Sequence, residues 1–160
     1  MPQETDHPNG RIFQINISGG GVPKLAIQNA EITAFGVGGD RQRNLETHGG
    51  AERAVCLYSL ERILALQAEG HPIFAGAAGE NLTLTGLDWD LLMPGVHMRL
   101  GEDVLIEVTR YTSPCSNVAY AFREEAFIRI SQKLHPGWSR VYARVLQPGL
   151  VHVGDKVVLE

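Results

Sequence analysis

At 160 residues, 44% hydrophobic and 20% charged, the chain is long enough for one domain with a sizeable core. A formal net charge of −4 argues against a general nucleic-acid binder, and no apolar run approaches the roughly 18 residues of a membrane span. The polar opening MPQETDHPNG lacks the basic-then-apolar layout of a signal peptide, so the two cysteines fit a reducing, cytoplasmic setting and free thiols.

Residues 1–10 are expected to form a flexible tail, and residues 11–160 a single domain. The 18 glycines exceed the usual share of roughly 7%, which implies many turns and many short strands. RIFQINIS opens the series with Ile15 and Ile17 on one face, and the short run EITAFGV follows.

The next stretch, GVGGDRQRNLETHGGAERAV, gathers five glycines with Arg41, Arg43, Arg53, Asp40 and His48. Glycine lets backbone N–H groups approach a ligand closely, and arginine offers a planar fork for phosphate or carboxylate. The spacing is neither a Walker loop nor a Rossmann turn, and a solvated loop with surface arginines would read the same.

RAVCLYS alternates Ala54, Cys56 and Tyr58 against Val55 and Leu57. Inside such a strand Cys56 reads as a small, buried, inert thiol. SLERILALQAEGHP carries Leu60, Ile63, Leu64 and Gln67 at helical spacing, with Ser59 as N-cap and Gly70 and Pro72 as stop signals. GAAGENLTL then leads through Gly79, Glu80 and Asn81 into a strand. It is either a plain turn or a polar mouth in which Glu80 or Asn81 contacts a ligand.

GVHMRLG and EDVLIEV give two further strands, and SRVYARVL and DKVVLE close the list. PGVHMRLGEDVLIEV and PGLVHVGDKVVLE look alike and predict two similar hairpins. Between them, NVAYAFREEAFIRISQKLHPG places Ala119, Phe122, Ala126, Phe127, Ile130 and Leu134 on one stripe, predicting a helix of about four turns. The whole predicts a mainly β protein, a closed or nearly closed barrel with two or three peripheral α-helices.

YTSPCSN bridges a strand and that helix. Pro114 bends the chain and leaves Cys115 where a ligand can reach it. Such a thiol is open to work as nucleophile, sulfur carrier or soft-metal ligand, or to be an idle surface cysteine. The two cysteines lack CxxC spacing, which disfavours structural zinc. None of the six histidines is placed by spacing beside Cys115 for a Cys–His hydrolase.

Three blocks then occur in order: GDRQ…HGGAERAVCLYS, GAAGENLTLTGL, and SPC followed by a GW… strand. Together they resemble the MOSC family, named for the C-terminal domain of molybdenum-cofactor sulfurases, and most closely its small bacterial stand-alone members. The resemblance covers roughly residues 11–159. It implies a MOSC-type barrel, similar to that of pyruvate kinase, with a pocket at one rim. Cys115 would be the working cysteine, either a molybdenum ligand in a reductase of N-hydroxylated compounds or the bearer of a persulfide for metal–sulfur cofactor assembly. Asp40, Arg41, His48, Gly49, Gly50, Arg53, Glu80 and Asn81 would bind the molybdenum cofactor, a molybdopterin. A reductase needs an external electron donor of ferredoxin or flavin type, and a sulfur carrier needs a cysteine desulfurase. PLP is not expected on this chain, nor are nucleic acid or membrane partners. A non-catalytic anion-binding module is the third reading. Some bacterial relatives carry arginine three residues before the cysteine, where this chain has Thr112.

Overall fold

The computed structural model describes residues 9–41 and 50–160. Among them are eleven strands and one α-helix. In chain order these are β1 (Gly10–Ile17), β2 (Leu25–Ile27), β3 (Asn29–Thr33), β4 (Gly36–Val37), β5 (Val55–Ser59), α1 (Leu60–Ala68), β6 (Leu82–Thr85), β7 (His97–Leu100), β8 (Val104–Tyr111), β9 (Val141–Gln147), β10 (Gly149–His152) and β11 (Lys156–Leu159). Of the tail expected at 1–10, residues 1–8 lie outside the described residues, and Gly10 already belongs to β1.

Seven strands run β11-β7-β8-β9-β5-β6-β1, and β1 pairs back to β11, so the sheet closes into a barrel. Closure removes the free edges that a twisted sheet otherwise exposes. β2 rides on β1, and β10, β3 and β4 form a separate three-stranded sheet. The period-two patterns explain the wall. In β8, Val104, Ile106 and Val108 are buried while Leu105, Glu107 and Thr109 between them are only half-buried. β5 is buried throughout, because β6 and β9 flank it and both of its faces are covered.

β5 and β6 are the parallel pair, and such a pair needs a crossover, which α1 supplies. The Ser59 hydroxyl accepts the Arg62 N–H at 3.1 Å, so the predicted N-cap holds. Ile63 and Leu66 are the helix residues that seal against the barrel, while Leu64, predicted on the same stripe, is 52% exposed. At Gly70 the backbone turns left-handed with φ 98°, as the stop signal requires.

Three local expectations differ. A β-bulge between Ile12 and Gln14 shifts the register of β1 against β6, so Ile12 and Ile15 face the core and Asn16 is buried as well. The second predicted hairpin does not form: β10 pairs with β3, whereas β11 pairs with β7 and β1. The turn at Gly154 sends the two strands into different sheets, and among β10 residues only Val151 is buried.

The predicted four-turn helix is replaced by three short 3₁₀ turns, Ser116–Ala121, Arg123–Glu125 and Phe127–Ile130. Its backbone bonds run from Val118 N–H to Cys115 carbonyl and from Phe122 N–H to Ala119 carbonyl, three residues apart rather than four. Tertiary contacts override the helical stripe. The Arg123 N–H donates to His71 Nδ1 at 3.1 Å, and Glu124 and Glu125 adopt left-handed φ values of 55° and 56°. The segment still buries Val118, Ala119, Phe122 and Ile130. Among the described residues, no helix is long and apolar enough to cross a membrane.

Candidate functional site

The site lies at one rim of the barrel, where β1 ends and β5 and β9 begin. A pocket of about 230 Å³ opens there, lined by Lys24, Arg41, Cys56, Asn81, Cys115, Arg140 and Tyr142, with Gly21 and Gly79 supplying bare backbone.

Its floor is a hydrogen-bonded lattice that ties four chain segments together. The Asp40 carboxylate accepts Lys24 Nζ at 2.6 and 2.7 Å, Asn81 Nδ2 at 2.9 Å and the Ser18 N–H at 2.9 Å. Asn81 uses its whole amide. Oδ1 accepts the Cys56 N–H at 3.0 Å, and Nδ2 also reaches the Asn16 carbonyl at 3.4 Å. Asparagine is suited to this position because it presents donor and acceptor side by side. The Lys24 and Asp40 side chains are 9% and 5% exposed, so this is a buried ion pair with its remaining valences satisfied. The chain turns tightly to make it. Gly76 accepts the Lys24 N–H at 3.0 Å, and a Cβ on Gly76 would collide with the Lys24 carbonyl.

Beneath this floor sits Glu80, fully buried. Thr83 Oγ1 donates to its Oε2 at 3.1 Å, Asn16 Nδ2 donates to Thr83 Oγ1, and Oε1 has no partner. Burial pushes this carboxyl up to about 7, against the smaller pull of backbone N–H groups, Thr83 and Arg140.

Two thiols share the pocket. Cys115 is partly exposed and directly precedes the first 3₁₀ turn, not the start of a long α-helix. Cys56 is 5% exposed, and its Sγ lies 4.0 Å from Thr112 Oγ1. Burial pushes the Cys56 thiol up, and Cys115 is the more accessible of the two sulfurs.

Among the described residues, the charges at the rim do not cancel. Lys24 is neutralised by Asp40. Arg41 is exposed, and Arg140, only 5% exposed, forms no ion pair among the described residues. Tyr142 stands beside them, and burial keeps its phenol protonated. Among the described residues, no cluster of three or more His, Cys, Asp or Glu side chains is positioned to hold a bare metal ion. One accessible thiol beside cations that have no ion-pair partner among the described residues is a donor set suited to an anionic ligand that brings further metal ligands with it. A molybdopterin has that chemistry, and the residues present fit it.

Of the residues singled out from the sequence, the structure gathers Asp40, Arg41, Asn81 and Cys115 at the pocket. Glu80 lies below it. Gly50 is exposed with φ 93° and starts the 3₁₀ turn Ala51–Arg53. Arg53 lies 5.9 Å over the Tyr142 ring, behind the pocket wall. His48 and Gly49 lie outside the described residues. Arg110, the arginine nearest Cys115 in sequence, pairs with Glu52 rather than lining the pocket. Sequence reasoning missed Lys24, Arg140 and Tyr142. Arg140 is backbone-paired to the position where some relatives have arginine, since the Thr112 N–H donates to the Arg140 carbonyl at 2.9 Å.

The family model described as the MOSC domain matches residues 44–158. Protein YflK of Bacillus subtilis is 34% identical over 123 residues, covering 76% of this chain and 54% of YflK. A protein named Reductase from Gibberella moniliformis is 34% identical over 132 residues, covering 79% of this chain but 23% of that protein. The chain therefore spans about half of the bacterial relative and under a quarter of the fungal one. The crystal structure of YiiM from Geobacillus stearothermophilus superposes with a TM-score of 0.73 at 26% identity, covering 94% of this chain and 75% of YiiM.

Proposed function

This chain belongs to the MOSC domain family, and from that premise we propose that it binds a molybdenum cofactor with Cys115 as the protein's metal ligand and serves as a reductase of N-hydroxylated or related N-oxygenated compounds. The observation that carries the reading is the meeting of one accessible thiol, Cys115, with Arg41 and Arg140 in a single pocket. The relative named Reductase supports the reaction class.

The chain's own residues have distinct tasks. Cys115 offers a sulfur donor from a bent loop. Arg41 and Arg140 attract the cofactor's anionic end, and Gly21 and Gly79 let backbone approach it. The Lys24–Asp40–Asn81 lattice fixes the floor and, through the Cys56 N–H, ties it to β5. When bound, the cofactor supplies oxygen-atom and electron transfer. The overall change is R–NH–OH plus two electrons and two protons to R–NH₂ plus water, with the electrons coming from an external ferredoxin- or flavin-type donor.

The experiment is elemental and pterin analysis of the protein isolated from a cofactor-producing host, wild type against Cys115→Ala. Near-stoichiometric molybdenum in the wild type and its loss in the variant are expected. Equal molybdenum in both, or none in the wild type, overturns the reading. A sulfur-carrier role draws support from the same exposed Cys115, and it predicts a one-sulfur mass increment on that residue after incubation with a cysteine desulfurase.

A further inference from the structure

The chain has two cysteines, far apart in sequence, and the fold brings both to the wall of one pocket as free thiols. The Cys56 thiol has no task in the reaction proposed above. Its backbone is locked in β5: the N–H donates to Asn81 Oδ1 at 3.0 Å, the carbonyl accepts the Asn81 N–H at 2.8 Å, and β6 and β9 flank it. Cys115 is partly exposed and ends the irregular stretch 112–115, which belongs to no strand or helical turn. Thr112 and Tyr142 connect the two sites. Thr112, at the root of that stretch, sets its Oγ1 4.0 Å from Cys56 Sγ and is pinned through its N–H to the Arg140 carbonyl at 2.9 Å. Tyr142 is the cross-strand partner of Cys56, and the charges of both thiols act on its phenol.

We propose that the pocket carries a second chemistry, in which Cys115 and Cys56 form a dithiol that reduces a hydroperoxide and closes as an intramolecular disulfide. It draws on the two sulfurs alone and stands independently of the cofactor reading. Cys115 meets the oxidant because it is the reachable sulfur. Its thiolate attacks a peroxide oxygen, the O–O bond breaks, and the products are the Cys115 sulfenic acid and an alcohol. The Cys56 sulfur then displaces the sulfenic hydroxyl, which leaves as water with the Cys56 proton. In sum, ROOH and two thiols give a disulfide, ROH and water, and the peroxide gains the two electrons that the thiols lose. A sheltered thiol suits the second step, since Cys56 at 5% exposure meets the sulfenic acid rather than free oxidant. A disulfide needs its Cα atoms within about 4.4–6.8 Å. β5 is held on both edges, so the approach comes from the stretch beyond Thr112, where Pro114 has no backbone N–H to anchor. In the closed state neither sulfur is open to a ligand of the pocket, and a thiol reductant returns both.

The test uses the reduced full chain from a host that makes no molybdenum cofactor, treated with a small excess of hydrogen peroxide or cumene hydroperoxide. Remaining thiols are trapped with N-ethylmaleimide in denaturant, and intact mass and non-reducing peptide maps are read. Wild type should lose both thiols together, stay monomeric and drop in mass by two hydrogens. Its map should show a Cys56–Cys115 linked peptide that dithiothreitol removes. Cys56→Ala and Cys56→Ser should instead leave Cys115 as a sulfenic acid, with dimedone labelling about tenfold or more above wild type at the same peroxide dose. Cys115→Ser should keep Cys56 reduced. Wild-type Cys115 driven to sulfinic acid while Cys56 stays free overturns the inference. So does a Cys115-to-Cys115 dimer as the main product, a link that forms only after the chain is unfolded, or equal dimedone labelling in wild type and the Cys56 variants. The wild-type map decides even where neither Cys56 variant folds. Because the cofactor is absent by design, a failed link leaves the molybdenum analysis above unaffected, and a failed molybdenum analysis leaves this result standing.

Discussion

Replacing Glu80 with glutamine should stabilise the protein in alkaline buffer and do little in acid. The carboxyl is fully buried, and burial raises it from 4.5 to about 7. Between those two values the native state holds a proton that the unfolded chain has released. Stability therefore falls as pH rises through this window, is fully present below about 4.5, and is flat above about 7. At 1.36 kcal/mol per pH unit the loss integrates to about 3 kcal/mol. Glutamine is neutral in both states and has no such slope. Its carbonyl still accepts the Thr83 hydroxyl, although its amide faces the same unpartnered position that Oε1 occupies. The net gain for Glu80→Gln at pH 8 should thus be about 1–3 kcal/mol, or roughly 3–10 °C in Tm for a chain of this size. Urea unfolding followed by Trp89 and Trp138 fluorescence at pH 4.5 and pH 8 measures it. Curves for wild type and Glu80→Gln that stay parallel across pH, or a variant less stable at pH 8, would refute the reasoning.

Lys24→Met should cost about 3–5 kcal/mol, because it leaves the Asp40 carboxylate buried without its counter-charge; the shift of the urea midpoint at constant m-value reads this. Tyr58→Phe removes the bond from the buried Tyr58 hydroxyl to the Trp138 carbonyl at 2.7 Å and should cost about 1 kcal/mol in the same assay. Iodoacetamide at pH 7.5 should label Cys115 at least about tenfold faster than Cys56, whose thiol is buried and raised. Peptide mass spectrometry distinguishes the two sites, and equal rates would show that the rim does not shelter Cys56.

Much of the barrel was legible because strand patterning is local. Val104, Ile106 and Val108 announce their shared face in the sequence itself, and Ser59 announces the start of α1. What the patterns could not carry is pairing. PGLVHVGDKVVLE has the look of a hairpin, but the partner of β10 is β3, more than a hundred residues earlier. The stripe from Ala119 to Leu134 has helical spacing, yet the bond from the Arg123 N–H to His71 and the left-handed pair at 124 and 125 are set by contacts with another segment. The site divides in the same way. Cys115 and Asn81 stand in recognisable local settings. Lys24 and Arg140 sit in unremarkable runs and become part of the pocket only when β1, β5 and β9 meet at one rim. The Lys24–Asp40 pair depends on a glycine crossing at Gly76 that no spacing rule describes.

Gly10 faces Val157 across the closing pair of strands. Both outer extremities of the barrel therefore emerge together, while the thiol-bearing rim lies past the other end of β1. Seven residue steps along that strand, at about 3.3 Å each, separate the two poles by roughly 23 Å. Under the reductase reading proposed above, a redox module tethered at either extremity would start on the opposite side of the molecule from Cys115, and its connector would have to run the length of the barrel wall to reach the pocket.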